Sequence, residues 1–237
     1  MAGHAGTPHL GRAGGVVIHA EVLPEAQVAC LQSLAPAATD LGFHLAGGTA
    51  VALQIGHRRS VDFDWFAPRF PGRPVDLRES LASRGIALEP AALADQTVHG
   101  WVGGVRVSFF EFRPPLLERL VEWPEVGCRL ASCSDLAAMK LLAVAQRGSK
   151  KDFIDVHALS GHMPLARMLD CYQQRFAVED TGRVLAGLCF FDDADAEPMP
   201  VMLVDRDWEA VKYDLRDMVR QRVGNEHGGG GHGGWSR

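Results

Sequence analysis

Leu45-Ala46-Gly47-Gly48-Thr49 is separated from Asp62-Phe63-Asp64 by the twelve residues 50–61, and the reading of this stretch decides the fold. Phe43 to Ala46 is expected as a short buried strand, Gly47-Gly48-Thr49 as a tight turn, Ala50 to Ile55 as a short helix, and Ser60 to Phe66 as a second strand. A strand alternates its side chains, so Asp62 and Asp64 share one face while Val61, Phe63 and Trp65 share the other. Two carboxylates held roughly 7 Å apart at the α-carbons repel each other unless water or a cation screens them. Magnesium suits that pair, because it takes hard oxygen ligands from one or two carboxylates and keeps water and phosphate in its shell. Gly47 and Gly48 let the backbone come close to a ligand, and a helix starting near Thr49 aims N–H groups at an anion. Together the halves describe a site for a nucleoside triphosphate with its metal. Alone, a Gly-Gly-Thr turn is most often structural and an Asp-x-Asp strand is often a solvated face.

The surroundings bear on the coupled reading. Between His57 and Arg73, Arg58, Arg59, Arg69 and Arg73 stand against Asp62 and Asp64, in a chain whose net charge is -5. Arg58 and Arg59 either meet phosphate oxygens or brace the carboxylates. Downstream, Lys140 is the only charge between Asp135 and Arg147, on the apolar side of a helix with Leu136 and Ala143. It either snorkels along the helix edge or places a point charge on a phosphate. Asp152 and Asp155, three apart, are neighbours on one helix face, with Asp152 also readable as a helix N-terminal acid.

Working outward, a helix follows Pro24, with Val28, Leu31 and Leu34 on one side, and Pro36 is expected to bend or end it. A helix is expected near Val75 to Arg84, then strands at Ile86 to Glu89, Thr97 to Val102 and Val105 to Phe112, with Pro114-Pro115 closing the β-rich part. From Ser134, a plausible N-cap, the pattern turns helical: Asp135 to Arg147, Lys151 to Leu159, Pro164 to Phe176, Thr181 to Leu188 and Asp207 to Arg222. The expected architecture is α+β, with an α+β core over residues 21–130 and a helical domain over 131–223. Residues 1–20 read as a flexible arm and 224–237 as a disordered Gly/His-rich tail.

Composition narrows the classes. With 47% hydrophobic and 22% charged residues, the chain reads as soluble and globular. No apolar run reaches the ~20 residues of a membrane span and the start has no secretory apolar region, so a cytoplasmic protein without membrane partners is expected. The net charge argues against coating nucleic acid through the whole surface, leaving a local basic site open. Five cysteines without a CxxC pair argue against a disulfide framework or a zinc ribbon, and His44 and His57 lack metal-ligand spacing.

The stretches Leu45 to Ala50, Gly56-His57-Arg58-Arg59-Ser60-Val61-Asp62-Phe63-Asp64, Asp135 to Lys140 and Lys151-Asp152-Phe153-Ile154-Asp155 resemble the AbiEii/AbiGii-type toxin family, within the polymerase-beta-like nucleotidyltransferase superfamily. The resemblance implies a mixed β-sheet nucleotidyltransferase core followed by a helical domain that completes the cleft. Asp62 and Asp64 would bind magnesium. Gly47, Gly48, Thr49, Arg58, Arg59 and Ser60 would bind the nucleotide, Lys140 would hold phosphate, and Asp152 would complete the catalytic set, with Lys151 and Asp155 shaping the site. The implied reaction is transfer of a nucleoside monophosphate from a nucleoside triphosphate to an acceptor hydroxyl, a tRNA or other RNA end included, by the toxin of a toxin-antitoxin pair. The alternative is a catalytically reduced nucleotide-binding or partner-binding protein of the same fold. It draws on one departure: the strand Val105 to Phe112 offers only Glu111 as a third carboxylate, on the side of Val105, Val107 and Phe109.

Overall fold

The structure, a computed structural model, describes residues 12–13 and 16–228. Seven strands form one mixed sheet: β3 (His44–Ala46), β4 (Phe63–Ala67), β5 (Glu89–Ala94), β6 (Thr97–Val102), β7 (Val105–Glu111), β8 (Val121–Trp123) and β9 (Cys128–Leu130), in the order β5-β6-β7-β4-β3-β9-β8. A separate two-stranded ladder joins β1 (Arg12–Ala13) to β2 (Val16–Val17). β3 and β4 are antiparallel, while β4 pairs parallel with β7 and β3 with β9. The architecture is therefore α+β with a mixed sheet, as expected.

Alternation decides what each strand buries. Phe63, Trp65 and Ala67 of β4 and Val105, Val107 and Phe109 of β7 are buried, with Phe43 edge-on to Phe109 and Phe70. Asp64 and Phe66, on the other face, are half-buried. Val61 is 44% exposed and so is not on the core side, because the strand begins only at Phe63.

Several expectations are corrected. The β-rich part does not close at Pro114-Pro115: β8 and β9 follow, and β9 lies beside β3. Each is three residues long, too short to show a period of two. Pro36 does not end the first helix, since α1 runs Glu25–Asp40 with Pro36 inside, flanked by the buried Ala35, Ala37 and Ala38. Tertiary burial outweighs the one backbone hydrogen bond that proline removes. The strand expected at Ile86 to Glu89 is displaced to β5, where Pro90 is tolerated because β5 is an edge strand.

Short helices α2 (Gly47–Ile55) and α3 (Pro74–Ala82) complete this part. The chain divides into two units, one running to Leu136 and taking in Pro200–Val204, the other comprising Ala137–Met199 and continuing from Asp205. Pro200–Val204 is tied to the first unit by Arg59 N–H donating to Val201 O (2.8 Å), by Leu203 N–H donating to His57 O (2.9 Å), and by an antiparallel bridge between Arg58 and Met202.

The remaining helices are α4 (Cys133–Gln146), α5 (Lys150–Ser160), α6 (Leu165–Phe176), α7 (Gly182–Gly187), α8 (Asp192–Asp195) and α9 (Trp208–Gly228). The cap of α4 is Ser132, not Ser134: its hydroxyl donates to Asp135 Oδ2 (2.7 Å) and accepts from the Asp135 N–H (3.1 Å). In the second unit Phe153 meets Phe191 at 4.8 Å and Trp208 at 5.9 Å. Residues 224–228, expected as disordered tail, are the end of α9, while 229–237 lie outside the described residues. Of the arm expected over 1–20, residues 1–11 and 14–15 lie outside them too, and Ile18 is buried. Among the described residues no helix is long and apolar enough to cross a membrane.

Candidate active site

In the first unit the glycine turn and the acidic strand meet. Antiparallel pairing sets Ala46 opposite Asp64, and Gly47, the next residue, opens α2 with φ +65°. A β-carbon on Gly47 would lie 2.7 Å from Asp64 Oδ2, closer than any real side chain approaches. Only glycine takes this backbone angle without strain and leaves the carboxylate its place. Ala46 at the N-cap offers α2 no side-chain cap, and Gly48 follows in the first turn.

Thr49 is buried, and its hydroxyl donates to the Asp62 carbonyl. A hydroxyl has one hydrogen, so the Ser60 hydroxyl, 2.6 Å away, is the donor to Thr49. The chain Ser60–Thr49–Asp62 thereby fixes the entrance of the acidic strand. Asp62 itself lies just ahead of β4, half-buried, and its carboxylate has no hydrogen bond or ion pair with the described residues. Arg58 is 3% exposed and donates to the Arg59 carbonyl (3.0 Å), while Arg59 is exposed.

β7 has no acid facing this site. Ser108 stands in register with Asp64, and His99 of β6 stands in register with Ser108, its Nδ1 3.1 Å from the Ser108 hydroxyl. Glu111 pairs with Ala67 on the other face, where it accepts from the Phe70 N–H (3.0 Å) and from Arg113 (2.6 Å). These two bonds, the backbone one first, hold its carboxyl below the usual range. Ser108 and His99 were missed in the sequence, and only the parallel register of β4 with β7 reveals them.

In the second unit Lys140, 6% exposed, lies between two buried acids, with Nζ 2.9 Å from Asp152 Oδ1 and 2.7 Å from Asp155 Oδ2. It does not snorkel. Arg147 adds a two-pronged contact to Asp152 through Nε (2.8 Å) and Nη2 (3.2 Å), and the Ser149 hydroxyl donates to Oδ2 (2.8 Å). Burial pushes the Asp152 carboxyl up, but Lys140 and Arg147 together outweigh it and hold it at about 2. Lys151 is exposed. Its neighbour Lys150 is the buried one, donating to the carbonyls of Glu197 and Asp195 and lying 5.1 Å from the Trp208 ring centre. The structure thus brings Gly47 to Asp64 and Thr49 to Ser60 and Asp62, and separately joins Lys140 to Asp152 and Asp155.

The family model described as "Nucleotidyl transferase AbiEii toxin, Type IV TA system" matches residues 103–221. The chain belongs to the AbiEii family. A relative of this AbiEii chain is the uncharacterized protein aq_aa25 of Aquifex aeolicus (strain VF5), 34% identical over 188 residues, covering 77% of this chain and 89% of the relative. Among solved structures, the nucleotidyltransferase toxin MenT4 of Mycobacterium tuberculosis H37Rv is similar with a TM-score of 0.48 at 14% identity, over 83% of this AbiEii chain and 81% of the other. The antibiotic-resistance factor ANT(2'')-Ia gives a TM-score of 0.47 at 13% identity, over 65% and 93% of the two chains.

Proposed function

We propose that the protein moves a nucleoside monophosphate from a nucleoside triphosphate to an acceptor hydroxyl, an RNA end such as that of tRNA, as the toxin of a toxin-antitoxin pair in the cytoplasm. The acceptor oxygen forms a bond to the α-phosphorus, the bond to the β-phosphate oxygen breaks, pyrophosphate leaves, and the hydroxyl proton passes to solvent. The observation that carries this reading is the contact of Gly47 with the Asp64 carboxylate at the start of α2. It sets an anion-binding helix terminus beside a carboxylate pair.

The donor set fits a hard divalent cation, since Asp62 has an uncommitted carboxylate among the described residues and Asp64 sits beside a cradle that a β-carbon would fill. Asp62 and Asp64 would hold magnesium, which when bound neutralises triphosphate charge and orients the reacting oxygens. Gly47 and Gly48 admit the phosphate to the N–H groups of α2. Thr49 and Ser60 hold Asp62 in place through its carbonyl. Arg58 braces the strand entrance, and Arg59 offers an exposed guanidinium to phosphate. From the helical unit, Lys140 and Asp152 serve the same reaction, with Lys151 and Asp155 supporting them. The five free cysteines are in keeping with a reducing compartment.

Purified protein, labelled nucleotides, magnesium and total RNA test the reading. Label should reach RNA with at least one nucleotide and fail to do so with Asp62→Ala. No transfer by the wild type with any nucleotide sinks it. One observation favours the second reading, binding without turnover: Ser108 rather than a carboxylate stands in register with Asp64. Magnesium-dependent nucleotide binding, abolished in Asp64→Ala but without transfer, would establish that second reading.

A further inference from the structure

The second unit carries a cavity of about 460 Å³, within the range of small-ligand sites, at the last turn of α4. Arg147, Gly148, Arg183, Gly187, Phe190 and Asp193 line it. Phe190 is 57% exposed and its ring meets no other ring or charge among the described residues. Arg183 is exposed, with no hydrogen bond or ion pair among those residues, while the Arg147 side chain is 68% exposed and bonded to Asp152 through Nε and Nη2. A β-carbon on Gly187 would meet Val144 O at 3.3 Å, so the glycine lets α7 close against α4 to form the wall. An open aromatic face with two guanidinium groups is the pair of features that single-stranded nucleic acid requires: a surface for the base and cations for the phosphate. In a duplex the base faces are already stacked, so the ring selects an unpaired base.

We propose that this cavity binds one nucleotide of a single-stranded RNA, with the base stacked on Phe190 and the phosphate held chiefly by Arg183, beside the Arg147 guanidinium that stays bonded to Asp152. The RNA class rests on the transferase reading above. Asp193 is the acceptor for a base amino group or a ribose hydroxyl.

The test is fluorescence anisotropy of the full chain with a labelled single-stranded RNA of about twelve nucleotides, without magnesium or nucleoside triphosphate, alongside an AMP arm. Phe190→Ala should weaken RNA binding about tenfold. Arg183→Ala should flatten the slope of log affinity against log salt by about 0.7, the value for one lost single-strand phosphate contact. Both side chains are exposed, so thermal unfolding should not move, and Asp62→Ala should bind RNA as the wild type does. Wild-type binding by both variants, or no RNA binding by the wild type, overturns the proposal. AMP binding that depends on Phe190 while the strand fails to bind overturns the RNA assignment in favour of a free nucleotide. Label transfer is measured separately on the same RNA. Phe190-dependent binding without wild-type transfer upholds the cavity and sinks the transferase reading instead.

Discussion

Gly47 and Asp64 are in such close contact that a β-carbon on the glycine would overlap the carboxylate, at 2.7 Å from Oδ2. Gly47→Ala therefore carries two penalties. The φ of +65° costs a residue with a β-carbon about 1–2 kcal/mol, and the methyl group displaces the acid. The expected outcome is a lower unfolding midpoint together with loss of magnesium-dependent nucleotide binding by calorimetry. Retained binding at wild-type affinity would separate the turn from the site.

Thr49 acts through the backbone of Asp62. Thr49→Val leaves the Asp62 carbonyl and the Ser60 hydroxyl without their partner, at a cost of about 1–3 kcal/mol. Thr49→Ser keeps the hydroxyl and should recover most of that stability along with metal affinity. Equal metal affinity in both variants would show that the hydroxyl does not position the acid.

Lys140 balances two buried acids. Lys140→Met should cost about 3–5 kcal/mol in urea unfolding, and adding Asp155→Asn should recover part of it. The same cluster sets an acid limb. The Asp152 carboxyl is held at about 2 in the folded chain against 3.8 ordinarily, so the unfolded chain binds the proton more readily. Its contribution, about 2 kcal/mol, is complete above pH ~4 and disappears as the pH falls toward 2. Asp152→Asn should flatten stability over that interval, and an unchanged acid limb would contradict the assignment.

Ser108→Asp puts a second carboxylate in register with Asp64 on the adjoining parallel strand. Like charges so placed should destabilise the metal-free protein by about 1 kcal/mol. Magnesium should then raise the unfolding temperature of the variant more than that of the wild type. No magnesium effect on either protein would remove the metal from this face.

The helical second half and the order strand, short helix, strand around residues 43–67 were legible because each carries a local signal: apolar stripes, a glycine pair, alternation about Asp64. The bounds were not: Gly47-Gly48-Thr49, expected as a turn, is the first turn of α2, only Gly47 of the pair has a positive φ, and Asp62, expected inside the strand, lies ahead of β4. β8 and β9 carried none, since Val121–Trp123 and Cys128–Leu130 owe their conformation to the pairing of β9 with β3. The Ser108–His99 pair was hidden for a related reason. Parallel register between β4 and β7 is a tertiary fact, and the intervening residues do not encode it locally. Lys140 was legible as an inward charge, but its partners twelve and fifteen residues on became evident only when α4 and α5 were seen together.

The bond from Arg59 to Val201 links the threshold of the acidic strand to a segment made late in synthesis. While the chain is still on the ribosome, His57 to Arg59 lacks its backbone partners until Leu203 clears the exit tunnel. A protein of a toxin family thus leaves its nascent form without a finished threshold for most of translation, and any truncated product ending before Pro200 lacks it permanently.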